Sequence, residues 1–359
     1  MKILVISLKG LGDTLMAVPL LRAINRERPE ARLTVLVPDK TCEELLKDCP
    51  FVSTVKVGFR RPGLGLIPQT LKLLWLLRRE KFDAAITTFP SNRLWYNLLA
   101  RWTGAPLRVT HAYAHAPLAT LAFLQNRRVP SQPPKHELEH NMDLLSGLGL
   151  DPAAPRDLSP WISPADEAFA DNFMKDNGLA GERVIALHPA VNPLQIYKAW
   201  APETLKTLAE FSDWAAGEFQ AKVLIFCGPD ERDAAAALLA NAKTQHQVCG
   251  GASVSQAAAL IKRCALFVNT DSGLGHLAAA AGVPSVTVFG PANPAMTAPY
   301  GGRALVVAPD LPCAPCYDYP YGSTRPRIKC AGRECLRSID LPRLKAAAQK
   351  AIKQQDSHA

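Results

Sequence analysis

Short apolar runs alternate along this chain with longer stretches of helical periodicity. In the first half, residues 2–7, 32–37 and 82–87 predict buried β-strands. A helical pattern follows the first strand through Arg28, and another covers residues 69–79. Such an alternation predicts βαβ units and a parallel sheet.

The same alternation restarts in the second half. Strands are predicted at residues 184–188 and 222–227, one helix near 202–219, and another from Glu231 onward. A proline-rich segment, residues 151–164, separates the halves and is typical of a linker. We therefore predict an α/β protein in which two doubly wound, Rossmann-like domains face a central cleft. The predicted bounds are 1–160 for the N-terminal domain, 161–340 for the C-terminal domain, and 341–359 for a final helix and tail.

The composition is that of a folded protein with a large core. The chain has 359 residues, of which 48% are hydrophobic and 20% charged. This is enough for two ordinary domains and excludes a disordered chain. No uninterrupted apolar run approaches the ~20 residues that span a bilayer, and Lys9 and Asp13 break the N-terminal run. We expect a cytoplasmic protein.

The net charge of +9 is concentrated in one part of the first half. Residues 56–108 include ten Lys or Arg but only two acids, Glu80 and Asp83. The same stretch carries four large aromatic residues: Trp75, Trp95, Tyr96 and Trp102. A basic surface with interfacial aromatics suits an anionic membrane face or a phosphorylated glycolipid. The alternative is a solvated basic face whose Trp residues belong to the core. No nucleic-acid-binding motif accompanies the charge, so nucleic acid is not expected as a partner.

Four of the nine cysteines are spaced loosely like a zinc site: Cys313, Cys316, Cys330 and Cys335. The second pair is separated by four residues, where two are commoner. Reduced thiols, or a disulfide packed under a loop, are the alternatives to a structural metal. The other five cysteines are scattered, and we expect ordinary thiols there.

Residues 269–290, NTDSGLGHLAAAAGVPSVTVFG, hold the strongest functional signal. An apolar strand at 265–269 runs directly into turn and N-cap chemistry at 270–273, and then into a helix rich in Leu and Ala. The first amides of such a helix have no partner within it, and together with the helix dipole they attract phosphate. An anionic ligand is therefore expected here.

The first βα turn, KGLGDT, resembles the start of a dinucleotide fingerprint and then departs from it. Gly10 and Gly12 have the right spacing, whereas Leu15 stands where the third glycine belongs and Asp13 opens the helix. Because a carboxylate repels pyrophosphate, NAD binding is disfavoured. A helix N-terminus stabilises the anionic form of Asp13, which leaves it able to accept a proton. An N-cap without a chemical role is the alternative.

Three segments together resemble glycosyltransferase family 9, the lipopolysaccharide core heptosyltransferases: ILVISLKGLGDTLMAVPLLRAI, TDSGLGHLAAAAGVPSVTVFGPANP and CAPCYDYPYG. The resemblance spans both halves in the right order. It implies the GT-B architecture, with the acceptor bound by the N-terminal domain and the nucleotide-sugar donor by the C-terminal domain. It also implies inverting transfer of a heptose from ADP-heptose to a lipopolysaccharide inner-core sugar, without a catalytic metal. Because the family's acceptor is lipid-anchored, peripheral association with the cytoplasmic face of the inner membrane is a further hypothesis.

The resemblance assigns two catalytic roles by position. Asp13 would deprotonate the acceptor hydroxyl, and Lys198 would neutralise the leaving diphosphate, roles that suit a one-step displacement. Gly10, Gly12 and Thr14 would lie on the acceptor side. The donor-side candidates are Asn192, Glu231, Thr270, Asp271, Ser272, Gly273, Leu274, Gly275 and His276.

Some of these residues have ordinary structural alternatives. His276 could be a helix-packing histidine, and Glu231 could be a helix N-terminal acid favoured by the dipole. In HPAVNPLQIYKAW the family's usual hydroxylated or basic residues are missing, which leaves Asn192 as the side-chain donor to phosphate.

Two other functions fit the same two-domain plan. A GT-B enzyme that uses another nucleotide sugar, as a transferase or an epimerase, needs the phosphate site but not Asp13. A non-catalytic glycolipid-binding protein needs the basic N-terminal surface and tolerates a degenerate donor site. Because both Asp13 and the TDSG turn are intact, we favour the heptosyltransferase.

Overall fold

The computed structural model describes residues 1–58, 67–132, 134–190, 198–317, 332, 334–337 and 340–356. The contacts divide them into two units, Met1–Trp161 and Ile162–Tyr317, and the described residues from 332 onward belong to the second. The division falls inside the proline-rich segment. Asn192 and Cys330 lie outside the described residues.

The first unit contains a six-stranded parallel sheet with the order β3-β2-β1-β4-β5-β6. This is the doubly wound order of a Rossmann fold. From β1 the chain adds strands on one side of the sheet, β2 and β3, and then on the other, β4, β5 and β6, so the switch point lies between β1 and β4. The strands are β1 Lys2–Ile6, β2 Arg32–Val37, β3 Val52–Val57, β4 Ala84–Thr87, β5 Leu107–Ala112 and β6 Arg127–Pro130. The helices are α1 Leu11–Met16, α2 Val18–Glu27, α3 Lys40–Leu46, α4 Ile67–Arg79, α5 Leu94–Trp102, α6 Pro117–Thr120 and α7 Glu137–Asp143.

The second unit repeats this plan. Its six parallel strands have the order β12-β11-β10-β7-β8-β9, so its reversal lies between β7 and β10. The strands are β7 Val184–His188, β8 Lys222–Cys227, β9 Gln247–Gly250, β10 Leu266–Thr270, β11 Ser285–Val288 and β12 Ala304–Val307. The helices are α8 Pro164–Asp176, α9 Pro202–Glu218, α10 Arg232–Asn241, α11 Val254–Ile261, α12 Gly273–Ala280, α13 Pro294–Thr297, α14 Glu334–Arg337 and α15 Leu341–Asp356.

The first predicted helix is interrupted. α1 ends at Met16 and α2 begins at Val18, with Ala17 between them. Pro19 explains the break, because it has no N–H to donate to the preceding turn and is tolerated only in the first turn of a new helix. The predicted helix that starts at Glu231 also begins later, at Arg232, after a short 3-10 turn.

Tyr96 belongs to the core of the first unit, not to an interfacial surface. Its ring is 2% exposed, and its hydroxyl donates to the carbonyl of Leu8 at 2.9 Å. It lies in an apolar cluster with Leu4, Leu77 and Leu99, which joins α4 and α5 to the sheet. Among the described residues, no helix combines the length and the apolar run that crossing a bilayer takes.

Two histidines are buried in the core of the first unit. The His111 ring donates from Nε2 to the carbonyl of His140 at 3.0 Å, and the His140 ring stacks on Phe89 at 4.2 Å. Burial, reinforced by the nearby charges of His140 and Lys135, lowers the pKa of His111 to about 3. Burial likewise lowers the pKa of His140 to about 4, with smaller contributions from Lys135 and His136. The folded unit therefore requires both rings to be neutral.

Acid should destabilise the first unit through His111. A histidine with a depressed folded pKa contributes its full stability above the unfolded value of about 6.5 and loses it as the pH falls toward the folded value. At about pH 5 the loss is ~2 kcal/mol for His111 alone. The free energy of unfolding, measured by calorimetry between about pH 7 and about pH 5, should decrease with a corresponding slope as the pH falls. His111→Gln, which keeps an N–H for the carbonyl of His140, should flatten it, while the exposed-residue control His115→Gln should not. An unchanged slope in His111→Gln would contradict the assignment.

Candidate functional site

The strongest candidate site lies at the switch point of the second sheet, where the strand order changes direction between β7 and β10. β7 and β10 are neighbours, with Asn269 opposite His188, and both strands end here. Ligands of open α/β sheets bind beyond the carboxyl ends of the strands at such a switch point. Buried polar residues collect at this edge: His188, Asn269, Thr270, Asp271 and Ser272, none more than 9% exposed. Buried polar side chains are costly unless they are hydrogen-bonded, so the partners of these residues matter.

His188 connects two of the strand ends. Its Nε2 lies 3.1 Å from Oε2 of Glu231, and its Nδ1 lies 3.1 Å from Oγ of Ser272. The same Oε2 accepts the N–H of Gly228 at 2.7 Å. Burial alone would raise the pKa of Glu231, but the hydrogen bond and charge of His188 and the Gly228 amide outweigh it and lower that pKa. Glu231 is therefore ionised at neutral pH.

When His188 is neutral, an ionised Glu231 fixes its tautomer. A carboxylate can only accept, so Nε2 of His188 carries the proton. Nδ1 is then an acceptor, and the hydroxyl of Ser272 donates to it. This arrangement orients the Ser272 side chain at the position immediately before α12. The three residues come from β7, the turn after β8, and the turn after β10.

Lys198 and Asp271 form a buried ion pair at the same edge. Nζ of Lys198 lies 2.6 Å from Oδ2 of Asp271, and the side chains are 12% and 5% exposed. Separating the two side chains would leave each buried charge without a partner, which is costly. The pair therefore holds both side chains in place. Asp271 directly precedes Ser272, the N-cap of α12. The ammonium group is therefore fixed close to the N-terminus of that helix.

Glycine allows α12 to lie close against β10. The Asn269 side chain donates to the carbonyl of Thr270 and accepts from the Thr287 hydroxyl at 3.0 Å, which locks it beneath the first helical turn. A Cβ added at Gly275 would lie 2.8 Å from Cγ of Asn269. Only glycine fits this approach. The free N-terminal amides of α12, expected from helix geometry, thus start at a rigid strand end.

The remaining predicted donor residues have distinct environments. Thr270 is the last residue of β10 and is 1% exposed, and His276 lies inside α12 at 8% exposed. Gly273 and Leu274 form the first turn of α12 and are partly exposed. Asn192 falls outside the described residues, and its role stays a prediction.

The predicted acceptor side is the turn after β1. Asp13 is partly exposed, and its Oδ2 accepts the N–H of Gly10 at 3.1 Å, which closes the N-terminus of α1. Gly12 is also partly exposed, whereas Thr14 is 1% exposed with its hydroxyl 3.4 Å from that of Ser7. Thr14 thus supports the turn from within, and its place on the acceptor side stays a prediction.

The cysteine cluster is only partly described. Cys313 is exposed, and Cys316 and Cys335 are buried. In the described part of the chain, no group of three or more His, Cys, Asp or Glu side chains has the geometry of a metal site. Because Cys330 lies outside that part, a four-cysteine site stays a prediction.

His188 is the site residue that the sequence analysis missed. It ends a predicted strand, and the carboxyl end of a buried strand in a doubly wound sheet is where site residues collect. The polar residue that ends the strand VIALH was therefore the signal that could have identified His188 as a candidate. What the sequence could not give is its pairing with Glu231 and Ser272, which are 43 and 84 residues away.

Two parallel sheets of the doubly wound order, together with the polar cluster at the switch point of the second, define an α/β protein of the GT-B-like class. Two solved structures from Escherichia coli have this fold. One is described as ADP-heptose lps heptosyltransferase II, with a TM-score of 0.74, 22% identity, and coverage of 99% of this chain and 100% of that one. The other is heptosyltransferase WaaC with ADP, with a TM-score of 0.71, 20% identity, and coverage of 98% and 100%.

Sequence comparison identifies the family. The model of glycosyltransferase family 9 (heptosyltransferase) matches residues 70–323, well over half of the chain. Lipopolysaccharide heptosyltransferase 3 of Escherichia coli (strain K12) is 23% identical over 292 residues, which are 78% of this chain and 79% of that protein. The chain belongs to glycosyltransferase family 9 and is a glycosyltransferase.

The contact between α12 and β10 predicts a sharp effect of one methyl group. Gly275→Ala should lower the free energy of unfolding by ~1–3 kcal/mol, the usual cost of overpacking, because the Asn269 side chain has to move. The matched control is Gly217→Ala, a helical glycine of the same unit whose Cβ would meet nothing within 4 Å. It should be neutral or stabilising by up to ~1 kcal/mol. Denaturant unfolding of the two variants measures both values, and equal stabilities would contradict the close approach.

Proposed function

We propose that this glycosyltransferase moves a heptose from ADP-heptose to a lipopolysaccharide inner-core sugar, with inversion at the anomeric carbon. The observation that supports the donor half best is the buried Lys198–Asp271 pair beside the N-terminus of α12. Family membership supports the choice of sugar and nucleotide, and so do the two similar Escherichia coli structures, one an ADP-heptose heptosyltransferase and the other a heptosyltransferase with ADP.

The donor diphosphate would bind at the start of α12. The N-terminal amides of Gly273 and Leu274 point along the helix axis and carry its partial positive charge. Lys198 adds a full charge beside them, and Asp271 sets its position at 2.6 Å. As the bond from the anomeric carbon to the phosphate oxygen breaks, negative charge grows on the diphosphate, and these groups stabilise it. Asp271 would also accept hydrogen bonds from sugar hydroxyls.

The nucleoside would contact Glu231. Its carboxylate is ionised and anchored by His188 and Gly228, so it can accept hydrogen bonds from the ribose hydroxyls without reorganising. His188 acts here as a positioning residue, because it also orients the Ser272 hydroxyl at the phosphate end. His276 and Thr270 would complete the donor side, and Asn192 is retained as a candidate phosphate contact.

Asp13 would act as the general base. Its carboxylate takes the proton of the acceptor hydroxyl while the hydroxyl oxygen bonds to the anomeric carbon and ADP leaves. One carboxylate is enough for this single displacement, and no metal or other cofactor is required for it. Gly10 and Gly12 would leave the acceptor room to approach the turn, since neither carries a side chain.

The acceptor is proposed to be an anionic, lipid-anchored precursor of the lipopolysaccharide core. The protein would then work in the cytoplasm at the inner face of the inner membrane, and nucleic acid is not a proposed partner. A structural zinc at the cysteine cluster is a separate proposal. Metal found by elemental analysis of protein purified under reducing conditions would support it, and protein without bound metal would remove it.

A GT-B enzyme that uses another nucleotide sugar differs from this proposal in its donor. A bound ligand stabilises the folded state, so a thermal-shift screen with ADP-, UDP- and GDP-sugars separates the alternatives. We expect stabilisation by ADP-heptose above all others. Stabilisation by a UDP- or GDP-sugar alone would contradict the proposed donor.

Asp13→Asn should remove the base while keeping the fold. The amide oxygen can still accept the N–H of Gly10, so the unfolding temperature should hold. We expect kcat to fall by ~10²–10⁴, the usual contribution of a general base, with unchanged ADP-heptose affinity. The control is Asp39→Asn, because Asp39 is also a carboxylate at a helix N-terminus, where as the N-cap of α3 it accepts the N–H of Cys42 at 3.1 Å. Transfer by Asp13→Asn at the wild-type rate would overturn the mechanism.

Lys198→Met should weaken the stabilisation of the leaving diphosphate. Without the ammonium, kcat should fall by ~10²–10³, as for loss of one transition-state donor, and ADP should bind more weakly. The exposed Lys206 of α9 offers a control of equal charge in the same unit, and Lys206→Met should behave as wild type. Single-turnover kinetics with titrations of ADP measure both effects. Normal ADP affinity and normal kcat in Lys198→Met would exclude the proposed role.

A further inference from the structure

The first unit exposes an unusual number of large apolar side chains in one region. Of the twelve such side chains among the described residues, eight lie between residues 67 and 124. We call them the outer helical surface: Leu71, Trp75, Leu76, Leu94, Leu98, Trp102, Leu118 and Phe123. Their exposed fractions run from 37% to 76%. Single exposed apolar residues need no explanation, but a cluster of this size marks an interaction site.

The outer helical surface is a second apolar face on helices that already have a buried one. α4 packs on the sheet through Leu73, Leu74 and Leu77, and α5 through Tyr96 and Leu99. A surface helix of a soluble domain normally turns polar residues outward. Here the outward residues are apolar at helical spacing, in the row Leu94, Leu98 and Trp102 on α5 and the pair Leu71 and Trp75 on α4.

The helices that carry this surface are neighbours. α4 contacts α5, and α5 contacts both α6 and the 3-10 turn Ala122–Leu124. The Trp102 indole N–H donates to the carbonyl of Leu74 at 3.2 Å, and Arg78 donates to the carbonyl of Trp102 at 3.0 Å. Trp102 is thus fixed in place although it is 52% exposed. The helices that carry the exposed apolar residues are therefore packed side by side.

Basic residues surround these apolar side chains. Residues 67–128 contain nine Lys or Arg and only two acids, and no acid at all occurs between residues 84 and 136. Lys72, Arg79 and Arg101 are exposed on α4 and α5 themselves. The Arg79 guanidinium lies 4.5 Å from the centre of the Trp75 ring, so charge and aromatic surface are presented together.

We infer that the outer helical surface binds the surface of an anionic lipid bilayer, with Trp75 and Trp102 at the level of the headgroups. Exposed Trp, Leu and Phe combined with Lys and Arg match the two components of such binding, which are apolar insertion and attraction to anionic headgroups. A second copy of this chain fits less well, because pairing this surface with itself would bring its excess of basic residues, nine against two acids, together.

The place of this surface in the unit suits a lipid-anchored acceptor, and this part of the inference rests on the proposed function. α4, α5 and α6 follow the parallel strands β3, β4 and β5 in turn, so each starts toward the carboxyl edge of the sheet, where α1 and Asp13 also lie. Leu94 and Leu118 lie in the first turns of α5 and α6, and Leu71 begins the second turn of α4. A sugar anchored in the bilayer would therefore lie close to the acceptor side of the first unit, which is also the unit that contacts the bilayer.

The test is binding of the full chain to vesicles of phosphatidylethanolamine with phosphatidylglycerol, measured by sedimentation. We expect binding that weakens as salt rises and that is lost on vesicles of phosphatidylcholine alone. Lys72→Gln, Arg79→Gln and Arg101→Gln combined should lower the partition coefficient ~100-fold, at about fivefold per charge. Leu71→Ser, Trp75→Ser and Leu98→Ser combined should lower it at least ~10-fold.

The second unit supplies matched controls. Val248→Ser with Val306→Ser removes two apolar side chains of 38% and 37% exposure, and Lys206→Gln with Lys350→Gln removes two exposed charges. Both pairs should bind vesicles as wild type does. Equal binding by the Leu71, Trp75 and Leu98 variant would overturn the inference. Failure of the wild-type chain to bind anionic vesicles would also overturn it. This includes the case in which the outer helical surface instead mediates a dimer, seen by light scattering.

A parallel activity assay separates this inference from the proposed function. On a water-soluble acceptor lacking its lipid, the Leu71, Trp75 and Leu98 variant should transfer sugar at the wild-type rate, while transfer to acceptor embedded in vesicles should fall. Vesicle binding without any sugar transfer would overturn the proposed function and leave the surface standing. Transfer to the soluble acceptor without vesicle binding would overturn the surface and leave the function standing.

Discussion

The parallel register of the second sheet is the constraint on which the site depends. Because all six strands run the same way, their carboxyl ends share one edge, and the change in strand order between β7 and β10 places the ligand crevice of a doubly wound sheet there. His188 ends β7, and Asp271 and Ser272 follow β10. Their proximity comes from strand pairing, with Asn269 opposite His188, and not from their separation along the chain.

Burial then decides how those residues are arranged. A charge removed from water has to be paired or hydrogen-bonded, and this edge satisfies the rule twice, with Lys198 on Asp271 and with the hydrogen bonds of His188 and Gly228 to Glu231. Each pair fixes a group that a nucleotide sugar would use, an ammonium in one case and a carboxylate in the other. The groups are oriented before any ligand arrives, so binding energy is not spent on ordering them.

Hydrophobic periodicity predicted the almost fully buried strands well and missed partly exposed ones, including the internal strand β5. β2, β7 and β8 were predicted with the bounds that the structure shows, because fully buried parallel strands are continuous apolar runs. β9 and β12 are four-residue edge strands with partly exposed side chains, and no comparable run marks them. The site divides in the same way. The turn before α12 was visible in the sequence, whereas the partnership of His188 with Glu231 depends on tertiary pairing.

The central claim is that the edge formed by β7, β8 and β10 binds the nucleotide-sugar donor. Hydrogen–deuterium exchange of the full chain, with and without ADP-heptose, tests it most directly. We predict slower amide exchange at the start of α12 and in the turn from Gly228 to Glu231, since ligand contacts there suppress local opening. Protection confined to other segments, with these amides unchanged at saturating ligand, would contradict it.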